Sequence, residues 1–314
     1  MSFSKETKKE LCSSKICDDK GKNSLAYGMA LFSKFFSPKA IGFTTGCKAV
    51  AVLYSETISS LTSAIVDISC TLTKRREEKD IYTLSVPDSG DCGRVFDYFG
   101  HADNVPSLRI NRANIESEEY IPYFLRGVFL VCGNVTDPEK DYHMEFVVPH
   151  MNLANDLSRL MSEIDIMKSE PNVVRRKGSY VVYIKGSDLI ADMLAYIGAP
   201  MASLDIIQQQ IYKSVRNKVN RQINSETANS NKTAAASAKQ LKAIAVIKEK
   251  RGLGYLSDEL RELAELREEY PEYNLRELGE ALSTPISRSG VNHRLMKIME
   301  IAEELGGEVS HRQR

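Results

Sequence analysis

The twelve residues Phe124–Val135, "FLRGVFLVCGNV", decide how this chain folds. Apolar side chains fill most of the stretch, so a helix built from it has little surface to offer water. Gly127 stands in its middle and Gly133 at its end. A glycine inside a helix is about 1 kcal/mol less favourable than alanine, so Gly127 asks for a compensating close approach by a second backbone. A second stretch, Leu25–Phe36 "LAYGMALFSKFF", offers the same arrangement around Gly28. Two such helices can pack closely through their small residues.

Reading outward from Gly28, residues 25–36 are expected to be helical. "IGFTTGC" and "AVAVLYS" (41–47 and 49–55) are read as a hairpin from their small and β-branched residues. "ETISSLTSAIVDIS" (56–69) is read as a helix, and "CTLTKR" and "DIYTLSV" as two strands. "DCGRVFDYFG" is read as a closing helix. Outward from Gly127, residues 119–133 are helical and "HMEFVVP" is a strand. "NLANDLSRLMSEID" is an amphipathic helix, and "NVVRRKGSYVVYIKG" a hairpin turning at Lys177-Gly178. "SDLIADMLAYIG" is a helix capped by Ser187. Gly28 to Gly100 is 72 residues and Gly127 to Gly198 is 71. The spacing predicts an internal repeat, with copies at about 1–100 and 119–200, inside an α+β domain of residues 1–200.

The 314 residues leave room for two or three domains, and 42% are apolar, enough for real cores. The 42 basic residues balance the 42 acidic ones, so only the distribution of charge is informative. The six cysteines include no C-x-x-C pair. With a charged start and no long apolar run, they predict reduced thiols in a cytoplasmic protein without membrane contact.

Residues 201–252 read as a basic segment, either a flexible linker or a helix in its second half. Over 203–251, ten basic residues stand against three acidic ones. Residues 253–308 read as three short helices, with 309–314 as a tail. Ser257 caps the first helix. Asn274 caps the second, with Glu277 in capping-box register. In the last helix Val291, Leu295, Ile298, Ala302 and Leu305 form one buried stripe. Ser289, His293, Arg294 and Lys297 occupy the opposite face, flanked by Arg288 and Asn292. Arginine can pair with guanine and asparagine with adenine, while serine and lysine suit phosphates. The same residues also fit an ordinary solvated face.

"TPISRSGVNHRLMKIMEIAEEL", preceded by "LRELAELREEYPEYNLRELGEAL" and by "NRQINSETANSNKT", closely resembles the WhiA family. The likeness extends over nearly the whole chain, most specifically at its C-terminal end. It implies a duplicated LAGLIDADG homing-endonuclease-like domain followed by an all-α helix-turn-helix domain similar to sigma-factor region 4. It implies a transcriptional regulator of cell division, chromosome segregation or sporulation that binds double-stranded DNA. It implies no catalytic activity and no cofactor. The helix-turn-helix falls on Asn274 to about Leu305. The DNA-facing set is then Asn274, Ser287, Arg288, Ser289, Asn292, His293, Arg294 and Lys297. Candidate phosphate contacts are Lys74, Arg75, Arg76, Arg175, Arg176 and Lys177 at matching hairpin turns, with Lys218, Arg221 and Lys232 upstream of the helix-turn-helix. The other reading is an adaptor that engages a sigma factor or RNA polymerase with only weak DNA contact.

A LAGLIDADG nuclease needs a carboxylate near the end of each motif helix to hold a divalent metal. Aligning Gly127 with the motif's first glycine puts Cys132 at that position, and aligning Gly28 puts Ser33 there. A soft thiol and a neutral hydroxyl do not replace carboxylates for Mg²⁺. Asp137 falls beyond the helix in the following loop. His143 and Glu145 share a strand face, but His150 lies past Pro149, so they make a poor metal set. The expectation is no metal site and no nuclease.

Overall fold

The computed structural model describes residues 2–73, 79–102, 107–167 and 170–306. The chain divides into two compact units, residues 1–214 and 215–314. The first begins with a helix that the sequence reading did not anticipate, α1 (Phe3–Ser13). Then come α2 (Asp19–Leu31), β1 (Phe35–Ser37), β2 (Ala40–Thr45), α3 (Lys48–Thr62), β3 (Asp67–Thr73), β4 (Lys79–Ser85) and α4 (Ser89–Tyr98). The same order returns in α5 (Ile121–Cys132), β5 (Gly133–Val135), β6 (His143–Val148), α6 (Met151–Ser162), β7 (Asn172–Arg176), β8 (Ser179–Lys185) and α7 (Ser187–Ile197). Each copy builds an antiparallel four-stranded sheet, ordered β1-β2-β4-β3 in the first and β5-β6-β8-β7 in the second. Gly100 and Gly198, which mark the ends of the two copies, both take left-handed backbone, at φ 69° and 101°. The predicted duplication is therefore present in topology, not only in spacing.

The two copies meet at α2 and α5. A Cβ on Gly28 would overlap the carbonyl oxygen of Phe124, and one on Gly127 would overlap that of Leu25. The two glycines thus sit reciprocally at the crossing, each against the other helix's backbone. Tyr27, Phe32 and Phe124 close around it with ring centroids 5.6–6.0 Å apart. Arg126 is buried and ties the ends of neighbouring helices together. Its Nε donates to Ile197 O at 2.7 Å and its Nη1 to Ser14 O at 3.3 Å. Burial pushes its pKa down, and carbonyl oxygens rather than a carboxylate hold the guanidinium.

The elements differ from the sequence reading at further points. Residues 49–55 are the front of α3, not a strand, and the helix expected over 56–69 ends at Thr62. Val50, Tyr54 and Ile58 recur every four residues and are fully buried, so packing on the core outweighs their strand preference. The helix expected over 25–36 stops at Leu31, because Phe35 and Phe36 enter β1. Gly186, at φ 100°, is the N-cap of α7, and Ser187 is its first residue. Finally, residues 200–250 form one helix, α8 (Pro200–Lys250), 51 residues long. Ala202 and Ile206 pack in the first core, and Ala243, Ile244 and Ile247 in the second. Residues 214–232 are all exposed, and with five asparagines among them neither burial nor intrinsic propensity favours the helix there; backbone hydrogen bonds continuous with the packed ends carry it. Lys177 and Gly178 form the β7–β8 turn, at φ 50° and 85°, as a two-residue hairpin turn requires.

Candidate nucleic-acid interface

The second unit places three further helices against the end of α8: α9 (Asp258–Glu269), α10 (Leu275–Ala281) and α11 (Arg288–Glu304). Leu260, Leu263, Ala264, Leu278, Val291, Leu295, Ile298 and Ala302 form their core. The α9–α10 turn is pinned by Arg267, whose buried side chain donates to Tyr273 O at 2.7 Å and Pro271 O at 3.3 Å. Ser237 of α8 donates to the same Pro271 carbonyl at 2.6 Å. Asn274 starts α10 with the expected capping box, accepting from the N–H groups of Arg276 and Glu277. Between α10 and α11 the backbone of Ile286 donates to Gly279 O at 3.1 Å. A Cβ on Gly279 would overlap the Ile286 carbonyl, so only glycine lets the turn fold this tightly. Ser283 is held by Glu262, and Ser287 caps α11 by accepting from Gly290 N–H at 3.2 Å. Together these contacts fix the angle at which α11 leaves the bundle.

With Val291, Leu295, Ile298 and Ala302 turned inward, α11 exposes Arg288, Ser289, Asn292, His293 and Lys297. These five lie together on its open side within the first ten residues, where a recognition helix meets base edges. Arg294 does not join them. Its guanidinium pairs with Glu259 of α9 at 2.8 Å and its side chain is only 23% exposed. Asn274 and Ser287 are exposed, but their side-chain oxygens serve as helix caps. The sequence reading missed Met296, which is 40% exposed on the same open side. Its position, three residues after His293 and four after Asn292, is the signal that could have revealed it.

The candidate phosphate contacts are dispersed. Lys218, Arg221 and Lys232 lie on the exposed stretch of α8, where Arg221 Nε folds back onto Asn217 O at 3.2 Å. Arg175 is exposed on β7, Lys177 stands in the turn, and Arg176 approaches Glu145 at 3.7 Å. Lys74, Arg75 and Arg76 lie outside the described residues.

At the ends of α2 and α5 the donor set does not fit a hard divalent cation. Ser33 is buried and donates to Met29 O at 2.8 Å. Cys132 points its sulfur at Val128 O, 3.3 Å away, and burial pushes the thiol up to about 12. The charged group that acts on Cys132 is the ammonium of Lys8, which stands 5.7 Å over the Phe129 ring. A hydroxyl committed to a carbonyl and a protonated thiol offer no anionic oxygen for Mg²⁺, and a neighbouring ammonium repels it. Asp137 sits in the loop after β5, where its carboxylate accepts from Glu139 N–H. His143 bonds Glu145 at 3.3 Å, while His150 is the N-cap residue of α6. Among the described residues no group of three or more His, Cys, Asp or Glu side chains could hold a metal. A cavity of about 850 Å³ is lined by Phe35, Phe36, Phe96, His101, Arg109 and His150. Asp156 holds Arg109 there through bonds of 2.6 and 2.7 Å, and burial pushes the pKa of His101 down.

Two family descriptions match the sequence: the WhiA LAGLIDADG-like domain over residues 121–216 and the WhiA C-terminal HTH domain over residues 219–302. A protein of Thermoanaerobacter sp. (strain X514) named "Probable cell division protein WhiA" is 37% identical, over 97% of this chain and 98% of that one. The chain belongs to the WhiA family. A protein of the same name from Clostridium perfringens (strain SM101 / Type A) is 36% identical, again over 97% of this chain and 98% of that one. The crystal structure of full-length WhiA from Thermatoga maritima covers 98% of this chain and 99% of its own, with a TM-score of 0.58 and 24% identity. That likeness shows the shared fold. WhiA membership accounts for the architecture: a LAGLIDADG-like domain built from two copies, and a C-terminal HTH domain whose match runs from within α8 into α11. The boundary between the two WhiA matches, near residues 216–219, falls inside α8. Among the described residues no helix is long and apolar enough to cross a membrane.

Proposed function

We propose that this chain is a sequence-specific, double-stranded-DNA-binding transcriptional regulator built on a LAGLIDADG-like scaffold without nuclease chemistry. One observation carries the reading: α11 is packed on one side and leaves Arg288, Ser289, Asn292, His293 and Lys297 together on the other. In this reading those side chains meet base edges in the major groove, while Lys218, Arg221 and Lys232 neutralise phosphates. Arg294 acts through Glu259, holding α11 against α9, and does not read bases. The working division is a scaffold over residues 1–200, a connecting helix over 201–252 and a reading domain over 253–308. The name of the relatives, "Probable cell division protein WhiA", supports cell division as the regulated process, with the nucleoid in the cytoplasm as the proposed place of action.

A gel-shift titration with salt tests the reading. Neutralising about six phosphates gives a log–log slope near −5; a slope near zero rejects phosphate binding. Asn292→Ala and His293→Ala should erode sequence preference, whereas Lys232→Ala should weaken all sequences alike. Supercoiled plasmid should stay intact in Mg²⁺ or Mn²⁺, and nicking lost in Asp137→Ala would overturn the inactive scaffold. Polymerase or sigma-factor capture that survives nuclease treatment, with no duplex binding, would replace the DNA reading with an adaptor role.

A further inference from the structure

Ser289, His293, Met296 and Glu300 follow one another on α11 at spacings of four, three and four. That spacing makes them a single ridge, opposite the buried stripe of Val291, Leu295, Ile298 and Ala302. All four ridge residues are exposed. Three are polar, as a solvated face demands. Met296 is not, although its 40% exposure leaves the thioether in water at the middle of that ridge. The remaining apolar residues of the helix are buried or half-buried, Met299 and Ile301 included.

Met296 is the ninth residue of α11, about 12 Å along the axis from Arg288. Asn292 lies one turn before it and Lys297 directly after it. Glu300 stands one turn beyond and repels phosphates, so the helix cannot enter a groove much deeper than Met296. The major groove displays hydrogen-bonding groups at every base pair, and one apolar group, the C5 methyl of thymine. A flexible thioether suits contact with a methyl, and an asparagine one turn away suits adenine. We infer that Met296 reads thymine, packing its thioether on the C5 methyl group of one base in the bound site. This rests on the proposed major-groove docking of α11.

The test starts by selecting preferred duplexes from a random pool with the full chain. Each thymine is then replaced by deoxyuridine, which removes only the methyl group. One replacement should weaken binding about fourfold, the share of one buried methyl group. The same replacement should have no effect on Met296→Ala and should retain its effect on Met296→Leu. Both variants should melt with the unmodified chain, because the side chain lies outside the core. Preferred sites that tolerate every deoxyuridine, or a sensitivity that survives in Met296→Ala, would overturn the thymine contact alone. A pool that yields no preferred sequence would overturn base reading by α11, and the thymine contact with it.

Discussion

Helices α5 and α11 carry the two halves of this molecule, and they are finished in opposite ways. α5 is enclosed: Phe124 to Leu130 are all buried, and Gly127 meets a backbone rather than a side chain. Even its charged residue, Arg126, is absorbed by main-chain carbonyls. α11 is closed on one side only and leaves Arg288, Ser289, Asn292, His293 and Lys297 exposed on the other. Recognition needs groups with unfilled hydrogen-bonding capacity, and α5 has almost none left. At its central joint the LAGLIDADG-like unit has its polar groups already bonded, whereas the smaller bundle leaves a polar helix face open to solvent.

The largest way to break this contrast is Gly127→Val. The added side chain must overlap the Leu25 carbonyl, and neither backbone can yield cheaply. Denaturant unfolding should show the first unit destabilised by about 3 kcal/mol, while the second unit's melting transition stays in place.

Restoring acids to the helix ends should separate the two positions. Ser33→Asp sets a buried carboxylate against the Met29 carbonyl that the hydroxyl now serves and should cost about 3 kcal/mol. Cys132→Asp can pair with Lys8 and should cost less, so the Ser33 variant melts lower. Equal losses would mean that Lys8 does not reach the α5 end.

Asn274→Ala removes a capping box from α10. It should lower the stability of the second unit by about 1 kcal/mol and leave sequence preference unchanged. A changed preference would instead make Asn274 a base contact.

The smallest effect is on pH dependence. Burial raises the thiols of Cys12 and Cys132 from an ordinary 9.0 to about 12. Between those values the folded chain keeps protons that the unfolded chain has lost, so stability is full below about pH 9 and declines as pH rises towards 12. Lys8, whose pKa burial lowers, acts in the opposite sense. Alkaline melts of Cys12→Ser and Cys132→Ser should therefore show a shallower decline than those of the unmodified chain.

Much of this contrast was legible in the residues. Gly28 and Gly127 announced a backbone crossing because glycine inside a helix needs a reason. The stripe from Val291 to Ala302 announced a packed face, and Asn274 with Glu277 announced a cap. The front of α3 was not legible. Cys47 at its N-cap makes no side-chain capping bond, and Val50 and Val52 imitate a strand until the core beneath them is known. The continuity of α8 was hidden as well, since its polar middle carries no periodic burial to signal a helix. The pairing of Arg294 with Glu259 was not legible, because sequence gives the face of a helix but not the acid on its neighbour. The second sheet's Arg176 was concealed in the same way by Glu145.

The reciprocal glycines also bear on how a duplicated chain can diverge. Each copy's space at the crossing is defined by the other copy's main chain, which no substitution can trim. A residue at the end of either helix can change alone, and the hydroxyl at Ser33 and the thiol at Cys132 show how different those ends can be. At Gly28 and Gly127 neither half can drift without its twin, so the joint is held by mutual veto while the helix tips are at liberty.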